Sequence, residues 1–170
     1  SYNCGACDYA SCDNYAKAVV EGEAATNKCA PGGKEVAHKV AGIMGKAVCE
    51  VEERVTQLHC NGGMDNCGVK YDYKGVKTCR AANLVSGGPK KCDYACIGFG
   101  DCVLVCPVDA IKMDKDLPVV DKERCIMCGK CVNVCPKKLY ELVPSVKKVH
   151  VLCSSKDIGK NVVKVCKVGC

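Results

Sequence analysis

Most of the 19 cysteines in this chain of 170 residues stand at short spacings that suit metal binding. The densest run is Cys125-x2-Cys128-x2-Cys131-x3-Cys135-Pro136, which places three cysteines within seven residues. A thiolate is a soft ligand that favours iron and zinc, and C-x2-C-x2-C-x3-C-P is a spacing that holds [4Fe-4S] clusters. The run therefore predicts one-electron chemistry at an iron–sulfur cluster.

A second copy of this run lies upstream, with one ligand replaced. Cys96, Cys102 and Cys106 align with the first, third and fourth cysteines, but Phe99 stands in the place of the second. The repeat indicates an internal duplication. Cys92 is the nearest candidate for the missing ligand. If Cys92 does not reach, the site holds a three-iron cluster or takes its ligand from Cys60, Cys67 or Cys79.

Both runs together have the arrangement of two-cluster bacterial ferredoxins, in which the fourth cysteine of each run binds the other cluster. This rule predicts one cluster on Cys125, Cys128, Cys131 and Cys106, and another on Cys92, Cys96, Cys102 and Cys135. A zinc ribbon is the alternative, because C-x2-C knuckles also suit tetrahedral zinc. Three cysteines in seven residues followed by x3-C-P fit a four-iron cluster better.

A third cysteine set opens the chain. Its members, Cys4-x2-Cys7-x4-Cys12-x16-Cys29, combine a tight turn, a helix start and a following loop. A helix beginning near Cys12 would favour the thiolate form of that residue. The set predicts a further [4Fe-4S] cluster, with zinc as the alternative.

Local patterns place these cysteines on short elements. We expect a helix from Cys12 to Gly22 capped by Ser11 or Asp13, a helix over 34–48, a short strand over 55–59 and a helix over 78–85. The predicted fold class is α+β, with small modules organised by metal. The predicted domains are a four-cysteine cluster domain with its helix (1–48), a connecting segment (49–91), a ferredoxin-like domain (92–144) and a possible truncated further repeat (145–170).

Composition excludes several other classes of protein. Trp is absent and Phe occurs once, so large aromatic rings supply little of a core. The net charge of +6 comes from scattered residues, which predicts no nucleic-acid tract. Each four-thiolate cluster would add roughly −2, so three would bring the charge near zero. No apolar stretch approaches the roughly 18 residues of a membrane span, and the opening residues are too polar for a signal peptide.

The last segment echoes the middle of the chain. Val149 to Cys153 resembles the residues that end at Cys60, and Cys166-x3-Cys170 repeats the spacing of Cys92-x3-Cys96. One interpretation makes Cys170 the first ligand of a run that continues past the end. The other is a lysine-rich tail with incidental cysteines. The roles of Cys49, Cys60, Cys67 and Cys79 stay open.

The order of these motifs resembles the B subunit of the Rnf complex, a membrane-bound, ion-translocating ferredoxin:NAD oxidoreductase. The likeness rests on three stretches: residues 3–12 with 27–33, the segment from Tyr71 to Gly75, and the block from Gly87 to Pro144. The resemblance implies a cytoplasmic face of the bacterial cell membrane, reduced ferredoxin as electron donor and other Rnf subunits as partners. It also implies an N-terminal membrane helix and further ferredoxin modules, neither of which is in this sequence; membrane association would then depend on that helix or on partner subunits.

These observations predict an electron-transfer subunit with at least three [4Fe-4S] clusters and no substrate-converting site of its own. No Gly-x-Gly-x-x-Gly run is present, so NAD would react on another subunit. The three histidines, His38, His59 and His150, have no partner constellation for catalysis. The alternatives are a polyferredoxin-type subunit of a soluble oxidoreductase and a zinc-stabilised structural or binding module. A corrinoid methyl carrier would need a larger partner region than this chain provides.

Overall fold

The computed structural model describes residues 2–50 and 52–170, so that Ser1 and Val51, which belong to the first and second predicted domains, lie outside the described residues. Short helices and strands alternate along the chain. The elements are α1 (Cys12–Val20), a 3-10 turn (Ala30–Gly32), α2 (Gly33–Ile43), β1 (Arg54–Leu58), α3 (Cys79–Leu84), α4 (Asp101–Leu104), β2 (Ile111–Asp114), β3 (Leu117–Val120), α5 (Lys130–Val134), β4 (Tyr140–Pro144) and α6 (Gly159–Val165). The α+β content matches the predicted class.

Both N-terminal helices form, but the second ends at Ile43, five residues before the predicted end at 48. The side chain of Ser11 caps α1 by accepting a hydrogen bond from the Asn14 N–H at 3.1 Å, and Gly22 adopts a positive φ of 81° just after the helix. The buried residues of this region are small apart from Tyr15, whose hydroxyl donates to the carbonyl of Ala25 at 2.9 Å. This region therefore has a thin apolar core, formed by Tyr15, Ala18, Val19 and Ala24.

Two antiparallel strand pairs frame the duplicated runs. β1 pairs with β4, from Arg54 opposite Pro144 to Leu58 opposite Tyr140, and β2 pairs with β3 across a tight turn. Each half of the duplication is a strand, a cysteine run, a short helix and a second strand. Since the first strand of one half pairs with the last strand of the other, the two halves close into one module.

The segment 59–95 is inserted between β1 and the first cysteine run. In the second half, only residues 121–124 separate β3 from Cys125. The insertion carries α3 and four cysteines, and it follows directly after a strand of the ferredoxin-like module. The residues between 49 and 91 thus contribute a strand and a helix to this module, where the sequence predicts a connecting segment.

A buried ion pair fastens the insertion to the β2–β3 turn. Lys90 is 4% exposed and Asp116 is 7% exposed, and their charged groups are in direct contact. The ammonium of Lys90 also donates to the carbonyl of Gly62 at 3.2 Å, and Asp116 accepts from the Met64 N–H at 2.8 Å. Both charges are thus paired and hydrogen-bonded, which is what burial of charge requires.

We predict that Asp116→Ala strongly destabilises the chain, because it leaves the Lys90 ammonium buried without a counter-charge. The expected loss is about 3–5 kcal/mol, measured anaerobically as the shift of the guanidinium unfolding midpoint. The matched control is Asp65→Ala, which breaks the neighbouring but exposed pair of Asp65 and Lys115 and should cost at most about 1 kcal/mol. Equal effects of the two substitutions would contradict the prediction.

Candidate iron–sulfur centres

The second cysteine run surrounds a small cavity. Its three local cysteines, Cys125, Cys128 and Cys131, line this cavity together with Cys106 from the first run. The hydroxyl oxygen of Thr56, a buried residue of β1, lies 3.6 Å from Cys131 Sγ and 3.8 Å from Cys125 Sγ. The site therefore combines four thiols from both halves with one polar neighbour.

The first run also surrounds a small cavity, but the fourth cysteine on this cavity is not the one expected from its nearness in sequence. Cys96 and Cys102 line the cavity with Cys135 from the second run, and Cys79 from the insertion completes the set. Cys92, the ligand predicted from its nearness in sequence, lines a different cavity. Nearness along the chain misled because the insertion folds back and brings α3 against the run.

Asp101 explains why Cys79 arrives at this cavity. Its carboxylate accepts hydrogen bonds from the backbone N–H groups of Cys79 and Arg80, at 3.0 and 3.2 Å, and so caps the start of α3. Phe99, which replaces a cysteine, packs against Tyr73 of the insertion with ring centroids 5.6 Å apart. The insertion thus docks on the residues that differ from the second run, and this docking places the replacement thiol.

Backbone geometry repeats between the two runs. Gly98 and Met127, Gly100 and Gly129, and Asp109 and Lys138 all have positive φ at equivalent positions. In each run the amide four residues after the last cysteine points at its sulfur, from Ala110 to Cys106 at 3.3 Å and from Leu139 to Cys135 at 3.5 Å. Amide donors to ligand sulfurs are one means of setting the reduction potential of a cluster.

The N-terminal cysteines also gather in space. Burial raises the pKa of the Cys29 thiol, and neighbouring charge on Cys7, Cys12 and Cys4 raises it further. The Asn3 side chain accepts a hydrogen bond from the Cys12 N–H at 2.9 Å, which ties the first turn to the start of α1. All four predicted members, Cys4, Cys7, Cys12 and Cys29, are therefore neighbours.

Burial keeps the innermost thiols protonated in the absence of metal. Burial raises the pKa of Cys96 to about 12 and that of Cys131 to about 11. Binding of iron must then displace these protons, because a coordinating thiol is deprotonated. The sites are consequently suited to a cationic centre that substitutes for several protons at once.

The donor sets fit clusters better than single ions. Across residues 2–50 and 52–170, no three Cys, His, Asp or Glu side chains converge tightly enough for one metal ion. Zinc would draw four sulfurs to about 2.3 Å from one centre. Here four thiols from both halves line each ferredoxin-type cavity, which is the number and kind of donor that a four-iron cluster takes.

The three sites are adjacent. Cys4 of the N-terminal set is a charged neighbour of Cys128, and it contributes to the raised pKa of Cys128 after burial. The two ferredoxin-type sites exchange Cys106 and Cys135. The N-terminal set is therefore near the site of the second run, and that site shares cysteines with the site of the first run.

Comparisons with known proteins agree with this chemistry. A family model of the 4Fe-4S dicluster domain matches residues 95–148, and a model of a candidate Fe-S cluster matches residues 1–31. The chain thus carries a ferredoxin-like iron–sulfur domain. No helix among the described residues is long and apolar enough to cross a membrane.

Relatives are similar over nearly the whole chain. The B subunit of the ion-translocating oxidoreductase complex of Methanosarcina acetivorans is 44% identical over 99% of the chain and 64% of its own length. The B subunit of the proton-translocating ferredoxin:NAD(+) oxidoreductase complex of Clostridium ljungdahlii is 44% identical over 98% of the chain and 60% of its length. Its Na(+)-translocating counterpart in Acetobacterium woodii is 41% identical over 99% and 51%.

The chain is therefore homologous to the B subunits of ion-translocating ferredoxin:NAD oxidoreductase complexes, which confirms the resemblance to the Rnf family. It spans between half and two thirds of the length of these three relatives.

Sequence reasoning missed residues that surround the cysteines. Asp101, Thr56 and Tyr140 all contact cysteines of these cavities or their backbone, yet none belongs to a motif. The sequence indicates the role of Cys79 only indirectly. Phe99 shows that the first run lacks one cysteine, but it does not identify the cysteine that replaces it.

We predict that Cys79→Ala removes iron from the first ferredoxin-type site. Three cysteines would remain, so the loss should be between about one and four irons per chain, depending on whether a three-iron cluster survives. Iron and acid-labile sulfide analysis measures it. Cys49→Ala is the control, because Cys49 is exposed and lines none of the cavities described. Full iron content in Cys79→Ala would exclude Cys79 as a ligand.

We also predict that Tyr140→Phe lowers the reduction potential of the same site. The buried Tyr140 hydroxyl donates to Cys102 Sγ at 3.2 Å, and this bond is stronger when the centre carries an additional electron. Its loss should lower the potential on the order of 50 mV, measured by redox titration. Tyr71→Phe, which removes a hydroxyl bonded to the Val85 carbonyl, should leave the potential unchanged; an unchanged potential in Tyr140→Phe would refute the assignment.

Proposed function

We propose that this chain is the electron-relaying iron–sulfur part of the B subunit in a membrane-bound, ion-translocating ferredoxin:NAD oxidoreductase. The observation that carries the proposal is the set of adjacent four-cysteine sites. The homologues named as B subunits of such complexes support it, as does the dicluster domain.

The proposed ligands are those that the cavities bring together. They are Cys4, Cys7, Cys12 and Cys29 for the N-terminal cluster, Cys79, Cys96, Cys102 and Cys135 for the second, and Cys106, Cys125, Cys128 and Cys131 for the third. Bound [4Fe-4S] clusters supply one-electron chemistry over roughly −700 to +450 mV.

The surrounding residues hold the centres dry. Leu58, Ile111, Leu139 and Tyr140 are buried and pack with ligand cysteines of both ferredoxin-type sites. An apolar shell disfavours the extra negative charge of a reduced centre and so keeps the potential low. Low potential is what exchange with a ferredoxin requires.

The histidines contribute no catalytic group to this proposal. His59 contacts the Val151 carbonyl through Nδ1 at 2.7 Å, and His150 contacts the Lys147 carbonyl through Nε2 at 2.9 Å. His59 Nε2 also lies 3.3 Å from a carboxylate oxygen of Glu141. Because no dinucleotide-binding run is present, the proposal places the chemistry on NAD on another subunit.

The partners and location follow from the same proposal. Reduced ferredoxin is the electron donor, the remaining subunits of the complex accept the electrons, and the chain works at the cytoplasmic face of the cell membrane. Attachment there would use a membrane helix of the full-length protein or contacts with the other subunits.

The test is anaerobic reduction of the purified chain by reduced two-cluster ferredoxin. The readout is the bleaching of the iron–sulfur absorbance near 400 nm. We expect about one electron accepted per cluster and no reoxidation by NAD+ alone. Cys131→Ala should lower the number of electrons accepted, and Cys49→Ala should not.

In the whole complex, Cys131→Ala should abolish ferredoxin-dependent NAD+ reduction, whereas Cys49→Ala should retain it. Zinc without sulfide in the purified chain would overturn the proposal in favour of a structural module. Intact NAD+ reduction with Cys131→Ala would remove the chain from the electron path.

A further inference from the structure

Cysteines outside the three sites meet at one place in the fold. Cys60 follows β1, Cys67 and Cys92 lie in the insertion, and Cys166 follows α6. These four pack together around Ala95. Cys67 is fully buried and Cys166 is 7% exposed, while Cys49 and Cys170 are exposed.

Backbone contacts hold this group in register. Cys67 and Cys166 form an antiparallel bridge, so their side chains lie on the same face. The Lys167 N–H donates to the Asn66 carbonyl at 2.9 Å, and the Gly68 N–H donates to the Val165 carbonyl at 3.4 Å. These hydrogen bonds attach the C-terminal segment to the insertion beside the four thiols.

Gly62 leaves room for the sulfurs. A Cβ at this position would lie 3.1 Å from Cys166 Sγ, 3.8 Å from Cys60 Sγ and 3.5 Å from the Cys67 Cβ. Two sulfurs from segments far apart in sequence thus approach one point that has no side chain of its own. Glycine is therefore required at position 62 because a side chain would crowd the sulfurs. The backbone there does not have a positive φ.

The four thiols belong to one packed cluster and influence one another electrostatically. Cys67 has Cys166 and Cys60 as charged neighbours, and Cys92 has Cys67, Cys166 and Cys60, each adding to the effect of burial in raising the pKa of the thiol. The sulfurs of the remaining pair, Cys60 and Cys166, both lie next to Gly62. The same relation of mutual neighbours holds among the four cysteines of the N-terminal set around Cys29.

A small cavity adjoins this group. Cys60, Cys92 and Cys166 line it, and Cys67 packs in the same cluster of buried residues. Cys153 stands on the same cavity, beside Ser154, whose hydroxyl donates to the His59 carbonyl at 2.8 Å.

We propose that Cys60, Cys67, Cys92 and Cys166 hold a fourth [4Fe-4S] cluster. Binding forms four iron–sulfur bonds and releases the four thiol protons, with no change in the oxidation state of the cysteines. The site adjoins the second cluster site, because the Cys96 N–H donates to Cys60 Sγ at 3.3 Å. It therefore extends the proposed relay at the end opposite the N-terminal set.

The first test is the cluster content of the unsubstituted chain, reconstituted anaerobically with ferrous iron and sulfide. A fourth cluster requires about sixteen irons and sixteen sulfides per chain, and about four unpaired spins after full reduction. About twelve irons and twelve sulfides per chain would overturn the proposal if Cys67→Ala and Cys166→Ala leave this content unchanged.

The second test compares cysteines that share the cavity. Cys67→Ala and Cys166→Ala should each remove up to four irons and one spin, whereas Cys153→Ala and Cys170→Ala should retain the full content. Loss in Cys153→Ala with full content in Cys67→Ala would overturn this ligand set. Gly62→Ala leaves all cysteines in place and should also lower the content, because its Cβ displaces Cys166 Sγ.

This inference extends the proposed function, and the two can fail separately. Twelve irons with full reduction by ferredoxin would remove the fourth site and keep the relay. Zinc without sulfide would remove both.

Discussion

The exchange of one cysteine between the two halves of the ferredoxin-like module is the constraint on which the rest of the structure depends. Cys106 lines the cavity of the second run and Cys135 that of the first, so neither site can be complete while the halves are apart. The pairing of β1 with β4 also joins the two halves, through backbone hydrogen bonds between their strands. With Phe present once and Trp absent, the apolar core includes the cysteines themselves, and binding of metal becomes part of the folding energy.

The replacement of one cysteine by Phe99 has consequences well beyond that position. In the proposed ligand set the first run takes a thiol from elsewhere, and Asp101 places Cys79 there by accepting hydrogen bonds at the start of its helix. The insertion that brings Cys79 has to be anchored, which the buried pair of Lys90 and Asp116 achieves. One lost ligand is thus linked to an insertion, a helix cap and an ion pair, and the same insertion delivers Cys67 and Cys92 to their own meeting point.

The sequence was informative where all the determinants are local. The helix after Ser11 and the helix after Thr78 both follow a residue whose side chain caps the first turn. The strand before His59 forms where its partly alternating sequence predicts it, although the adjacent residues Val55 and Thr56 are both buried. The gathering of Cys125, Cys128 and Cys131 follows from spacing alone. The position of Cys92 could not be inferred in this way, because it depends on how residues 59–95 fold back. Pairing of Cys67 with Cys166 depends on a bridge between segments about a hundred residues apart, which no local pattern encodes.

Charge between neighbouring sites bears on how electrons would pass. Each four-thiolate cluster carries roughly −2, so adjacent reduced centres repel one another. Lys90 is a charged neighbour of both Cys67 and Cys96, and Lys137 is a charged neighbour of both Cys92 and Cys135. Two lysines are therefore charged neighbours of cysteines on both the second site and the group that includes Cys67 and Cys92. Their positive charge would offset the repulsion at the step where the Cys96 N–H donates to Cys60 Sγ. Lys90 also anchors the insertion through its ion pair with Asp116. The same side chain would thus stabilise both the fold and the negative charge of neighbouring clusters.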